Sequence, residues 1–397
     1  MTTGSNEPLD PGPSIDRAIA HATMLRGGDP RRGPTPTQVA RKVAIGDPQS
    51  SSRRFFGALA AHDLLGDDGW LRPDVQLVAM GDYFDYRVSE REAGRVEGVL
   101  ILGWLAAHAQ DHVTILFGNH DAVRVIELGE ITEERFREAA DAAAAVSALP
   151  RVERGEAEAA YLTRFPDVPT PGYAARDFNA FTVEQRALVQ RMLLADRFSL
   201  AATCSVHGRQ ALMTHAGITK RELAMLCARD HHPQTIAEML NLRLAGGVRV
   251  VADAWRRGEN VAMSLAPLHL AGAGGEEGGG LLYHRPADPE RDGADQAWEG
   301  PRRRKYDPRT ELPRGLVQVV GHTGHTKAIK EMPRWRADDC DDARGGVRTL
   351  RVDHEGTATY RRGVHPAEPR DALLYMTDPE MHYVDSPAEV AILELDV

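Results

Sequence analysis

Acidic, amide and imidazole side chains recur in this chain just after short apolar runs. Asp47 follows RKVAIG, Asp82 follows VQLVAMG, and Asn119, His120 and Asp121 follow HVTILFG. Later, His215 closes ALMTH and His322 stands in VVGHT. With Gln49 close behind Asp47, strand ends offer carboxylates, amides and imidazoles but no thiolate. Oxygen and nitrogen donors in that number suit two divalent cations of intermediate hardness better than one structural zinc. Such a pair, ~3.5–4 Å apart, clamps phosphoryl oxygens and lowers the pKa of a shared water. An alkoxide leaves badly unless protonated, and an imidazole such as His120, its charged form stabilised by a carboxylate such as Asp85, can donate that proton.

These residues need a scaffold that brings distant positions together. Each early apolar run is followed by helical spacing, first in SSSRRFFGALAAHDLL and then in SEREAGRVEGVLILGWLAAHAQ. The repeated pattern predicts a βαβαβ unit, in which loops at the carboxyl ends of neighbouring strands converge on one crevice. ITEERFREAADAAAAVSAL and FTVEQRALVQRMLLADRF are strong helix formers and predict a helical insertion at about 122–196. A hairpin is expected to turn at His207 and Gly208 and to end at His215. Further strands are expected in GLVQVVGHT, VRTLRVDHEGTATYRRG and EVAILELDV, with a second insertion at about 220–312. The Gly-rich AGAGGEEGGG lacks both a dinucleotide fingerprint and a following Lys-Ser/Thr, so it reads as a loop. Residues 1–38, rich in Pro, Gly, Ser and Thr, read as a flexible lead-in to a domain spanning 39–397.

Composition narrows the function. The 397 residues carry 58 acidic against 48 basic side chains, so the overall field repels polyanions and nucleic acid is not the expected partner. The run Arg302-Arg303-Arg304-Lys305 stands in a polar stretch without interleaved aromatics and reads as a solvated loop. Cys204, Cys227 and Cys340 are an odd count without C-x-x-C spacing, which argues against a disulfide framework. No basic start precedes an apolar stretch, and no membrane-length apolar window occurs, so a soluble, cytoplasmic protein is expected. Gly-x-Ser-x-Gly is absent, which leaves a serine hydrolase without its nucleophile elbow.

The order Asp-x-Gln, GDYFD, GNHD, THAG, VVGHT resembles the calcineurin-like metallophosphoesterases. THAG and GHT lean toward the branch of phosphoprotein phosphatases and bacterial diadenosine tetraphosphatases. The matching blocks span Gly46 to Thr323. The resemblance implies an α/β fold, a metallophosphoesterase-type β-sandwich flanked by helices and carrying helical insertions. It implies that Asp47, Gln49 and Asp82 hold one metal, that Asp82, Asn119, His215 and His322 hold the other, and that Asp82 bridges. It further casts His120 as the residue approaching the leaving-group oxygen, Asp85 as its orienting carboxylate, and Asn119, Arg87 and Arg285 as phosphoryl contacts. The expected cofactors are two divalent ions, manganese first, with iron, zinc or magnesium as alternatives.

Two positions depart from the family pattern. The first block reads Asp47-Pro48-Gln49-Ser50 where Asp-x-His-Gly is usual, which trades an imidazole for a neutral, harder oxygen donor and shifts that site toward manganese or magnesium. Tyr86 stands where the phosphatase branch has an arginine, with Arg87 one place late. His325, three residues after His322, is expected at the solvent or the substrate edge. The expected activity is phosphomonoester hydrolysis, on phosphoprotein or a small phosphomonoester. Hydrolysis of dinucleoside polyphosphates or phosphodiesters is the alternative within enzymes, and a regulatory protein that binds metal or a phospho-ligand is the alternative outside them.

Overall fold

The computed structural model describes residues 12–85, 88–291, 298–366 and 368–397. It begins with a helix, α1 (Gly12–Arg26), in a stretch read from the sequence as part of a flexible lead-in; residues 1–11 of that lead-in lie outside the described residues. Proline and glycine flank the segment, but inside it Ile15, Ala18, Ile19, Ala22 and Leu25 recur at helical spacing, and Ala18 and Ala22 are buried in the main core. His21 on the same helix stacks on Trp70 at 4.3 Å.

The predicted βαβαβ unit follows: β1 (Arg41–Ile45), α2 (Ser52–Ala61), β2 (Val75–Ala79), α3 (Arg91–Ala106) and β3 (Val113–Leu116), leading into the short α4 (Asn119–Ala122). The first long insertion is helical, with α5 (Glu133–Ala148), α6 (Arg154–Arg164), a π-helical turn at Tyr173–Asp177 and α7 (Val183–Leu194). The chain returns through β4 (Phe198–Ser199) and the hairpin β5 (Ala201–Val206) and β6 (Arg209–Thr214). Both turn residues of that hairpin, His207 and Gly208, have positive φ, as a tight two-residue turn requires.

The second long insertion mixes helix and strand: α8 (Lys220–Leu226), the 24-residue α9 (Pro233–Arg256), the short strands β7 (His269–Leu270), β8 (Gly279–Gly280), β9 (Arg285–Pro286) and β10 (Lys305–Tyr306), and α10 (Pro308–Glu311). Last come β11 (Val317–Val320), α11 (His325–Glu331), β12 (Arg348–Val352), β13 (Ala358–Arg362), β14 (Ala372–Met376) and β15 (Leu393–Leu395). β14, in the apolar run DALLYM, is a strand that was not among those predicted.

The result is a mixed α/β architecture. One sheet has the order β15-β1-β2-β3-β4 and the other β13-β12-β14-β11-β6-β5. Strand alternation divides the side chains between layers. Ala44, Val78 and Leu116 of the first sheet share an apolar layer with Met213, Val319, Leu373 and Tyr375 of the second, while Val43, Leu77 and Ile115 turn into the core that holds the helices. Val320, Leu350, Leu374 and Met376 face a third cluster, with Ala328 of α11 and Trp335. The parallel pairings β1–β2, β2–β3, β6–β11 and β11–β14 bring their carboxyl ends to one edge of these layers. Every strand-end residue picked from the sequence follows one of these strands.

Candidate active site

Asp82 is the centre of the cluster. It follows β2 in the left-handed region, at φ 61°, and is almost fully buried. Asp85 (φ 59°) and His322 (φ 63°) share that rare conformation. Backbone strain of this kind in non-glycine residues concentrates at functional sites. The strain at Asp82 is held by Asp121, whose carboxylate accepts the backbone N–H groups of Asp82 (3.0 Å), Tyr83 (3.2 Å) and Gly118 (2.9 Å). Burial, reinforced by the Asp82 charge, pushes Asp121 up to about 7. Gly118 is required because a Cβ there would lie 2.2 Å from Asp82 Oδ1.

His215 and His322 converge on Asp82. His215 Nε2 lies 3.3 Å from Asp82 Oδ2 and 3.0 Å from Asn119 Oδ1, and its Nδ1 lies 2.9 Å from the Met80 carbonyl. Both ring nitrogens therefore face acceptors. Burial disfavours the charged ring, but Asp82 outweighs it and the His215 pKa is raised to about 10. Asp82 itself is lowered: burial opposes its charge, and His215 and His120 more than compensate. Single ligand atoms of Asp82, His215 and His322 lie within 4.8 Å of one another, a mixed oxygen and nitrogen set able to hold a divalent cation.

Asp47 stands on the other side of His322. Its two carboxylate oxygens accept the His322 backbone N–H at 3.1 and 2.9 Å, and burial together with nearby Asp378 raises its pKa well above the usual range. Gln49 spends its amide N–H on the Phe84 carbonyl at 2.9 Å and lines the same cavity as Asp47, Asp82, Asn119, His120 and His322. That cavity encloses about 200 Å³.

His120 and Asp85 lie in contact beside Asp82. His120 donates its backbone N–H to Asp82 Oδ1 at 2.8 Å, while its Nδ1 lies 3.1 Å from Asp85 Oδ2 and its ring packs on Phe178 at 4.8 Å. Its pKa is raised; burial works against the proton, and Asp82 and Asp85 favour it more strongly. Asp85 is fixed in turn by the Ala180 N–H (3.1 Å) and by the fully buried Arg124, 2.5 Å away. Arg124 was not singled out by the sequence reading, although it stands one helical turn after His120, where an i,i+4 partner belongs.

The cations are distributed unevenly. Arg285 lines the cavity and donates to His322 Nε2 at 2.7 Å, and its Nε is buried without a hydrogen-bond partner among the described residues. Burial and Arg285 together lower the His322 pKa well below its ordinary value. Lys327 of α11 joins Arg285 on the wall, and Arg285 is the leading cause that lowers its pKa to about 8. Arg176 and Arg304 complete the basic side, paired with Asp177 and Glu277. Arg87, the expected phosphoryl contact, lies outside the described residues.

Two further expectations are corrected. His325 reaches neither solvent nor substrate: it is buried, with Nδ1 2.9 Å from the Tyr360 hydroxyl and Nε2 2.6 Å from the Asp341 carbonyl, because the first turn of α11 rotates it away from His322. The Arg302–Lys305 run is no free basic loop. Its side chains pair with Glu276, Glu311, Glu277 and Glu331, and β10 ties it beside β9.

No protein-family model matches the chain, and no curated protein matches it. Among solved structures, the chain is similar to a cold-active protein tyrosine phosphatase at 10% identity, covering 94% of this chain and 82% of that one with a TM-score of 0.37. It is also similar to a cold-active protein-tyrosine phosphatase of a psychrophilic Shewanella species, at 12% identity, 92% and 84% coverage and a TM-score of 0.38. At these values the likeness decides neither the reaction nor the residues that carry it. No helix among the described residues is long and apolar enough to cross a membrane.

Proposed function

We propose that the protein is a metal-dependent phosphoester hydrolase of the calcineurin-like kind, acting on a phosphomonoester. The observation that carries the reading is the convergence of Asp82, His215 and His322 on one point, with Asn119 beside them, opposite a basic wall. The donor set fits a cation. His215 donates Nδ1–H to a backbone carbonyl, which fixes the ring and leaves Nε2 as the ligand once its proton is released. Asp82, Asn119, His215 and His322 would hold one divalent ion, and Asp47, Gln49 and Asp82 the other. Bound there, the ions supply Lewis-acid polarisation of the phosphoryl oxygens and a water acidic enough to attack near neutral pH.

The chain's own side chains do the rest. Arg285, released from His322 Nε2 in the loaded site, and Lys327 bind the non-bridging oxygens of a dianionic group. Lys327 thereby supplies the charge missing at Tyr86. His120, held protonated by Asp85, gives its proton to the departing oxygen. Arg285 and Lys327 on that wall favour a monoester over a diester, which brings one charge fewer to it.

A phosphopeptide, an aryl monoester, an aryl diester and a dinucleoside tetraphosphate, each assayed with manganese, test the reading. Phosphate release from the monoesters, abolished in Asp82→Asn, is expected. Turnover of the diester alone would overturn the choice of substrate, and no turnover of any of the four would overturn the activity.

A further inference from the structure

We infer that Asp378 is the missing carboxylate of the first cation site, completing with Asp47 the donor set that Gln49 leaves weak. The inference rests on the two-cation reading above. Parallel pairing of β11 and β14 sets Val320 opposite Met376, so continuing the register places His322 and Asp378 at equivalent positions on neighbouring strands. The backbone just before Asp47 touches the one just before Asp378: a Cβ on Gly46 would fall 2.0 Å from the Thr377 carbonyl oxygen. Only glycine lets β1 and β14 close to that distance.

Two adjoining cavities, of about 200 and 230 Å³, are both lined by Asp47, Gln49, His322 and Asp378. Asp378 Oδ1 accepts the Glu380 backbone N–H at 2.8 Å. Arg285 and Lys327 line both cavities as well, so the two carboxylates and two cations face one polar space, with the carboxylates on the side of Gln49. The set Asp47, Gln49, Asp82 and Asp378 is made of oxygen donors alone, whereas the neighbouring set contains His215 and His322. Hard oxygen ligands suit manganese or magnesium, and imidazoles suit zinc or iron as well. The two sites therefore differ in metal preference, and Asp378 is the residue that makes the first one hard.

Manganese titration of the chelator-stripped full chain by calorimetry, with metal analysis after gel filtration, tests this. The wild type is expected to bind two equivalents. Asp378→Asn, an isosteric change checked for folding by circular dichroism, should keep one and weaken the other by at least about tenfold, and Asp378→Glu should recover part of the loss. Zinc should reach its second equivalent less readily than manganese in the wild type. Two equivalents of unchanged affinity in Asp378→Asn would overturn the inference while leaving the two-cation reading standing. Fewer than two in the wild type would overturn both.

Discussion

At the scale of single residues, the proposed function assigns cation binding and proton transfer to different side chains. Asp82 faces both, with one carboxylate oxygen at the His120 backbone and the other toward His215. In the proposed role as proton donor, His120 works only while protonated, so activity is expected to fall as pH rises through its pKa. Asp85 is one of the charges that raise that pKa. Replacing it in Asp85→Asn is expected to move the alkaline limb of the kcat/KM profile to lower pH, whereas an unmoved limb would show that Asp85 does not set the His120 proton. His120→Asn should lower kcat on an alkyl phosphate by about 10²–10⁴-fold. An aryl phosphate with an acidic leaving group should suffer far less, and equal losses across a leaving-group series would remove His120 from the proton-donor role.

At the scale of elements, the site is a set of strand ends held at fixed spacing by tight backbone approaches. The short α4 presents Asn119 and His120 to the cavity and turns Asp121 back to hold the Asp82 loop. Gly118→Ala puts a methyl group against Asp82 Oδ1, and overpacking of this kind typically costs about 1–3 kcal/mol. The expected result is a lower thermal midpoint together with weaker manganese binding, since the atom displaced is on a proposed ligand. A variant with wild-type midpoint and affinity would show that this approach is slack.

At the scale of the molecule, stability has titrating contributors well away from the cavity. His108 is buried against Trp104 and Trp70, and burial, with His112 adding to it, pushes its pKa from 6.5 down to about 3. The folded state therefore binds fewer protons there than the unfolded chain. Its contribution is complete above pH 6.5 and is lost as pH falls from 6.5 toward 3, by up to ~1.4 kcal/mol per pH unit. Urea unfolding between pH 7.5 and pH 5 should show a shallower loss of stability in His108→Gln than in the wild type, and parallel slopes would reject His108 as the source.

Local chemistry in the sequence was enough to locate Asp47, Asp82, Asn119, His120, His215 and His322, because each follows an apolar run whose strand period is written in the chain itself. Turn chemistry at His207-Gly208 was legible for the same reason, whereas the division of β1 to β3 between two layers emerges only in the fold. Partners brought together by packing were not. Arg124, in the turn after α4, and Lys327 of α11 are ordinary cations in the sequence until the fold turns them toward Asp85 and the cavity. Asp378 follows an apolar run like the others, but its place beside Asp47 comes from the contact between Gly46 and Thr377, more than 300 residues apart in sequence. The helix α1 was hidden by its Pro- and Gly-rich flanks and is fixed by burial against the core. Residue types and short spacings set what chemistry is available, while long-range packing decides which charges meet, since electrostatic interaction depends on distance in space and not along the chain.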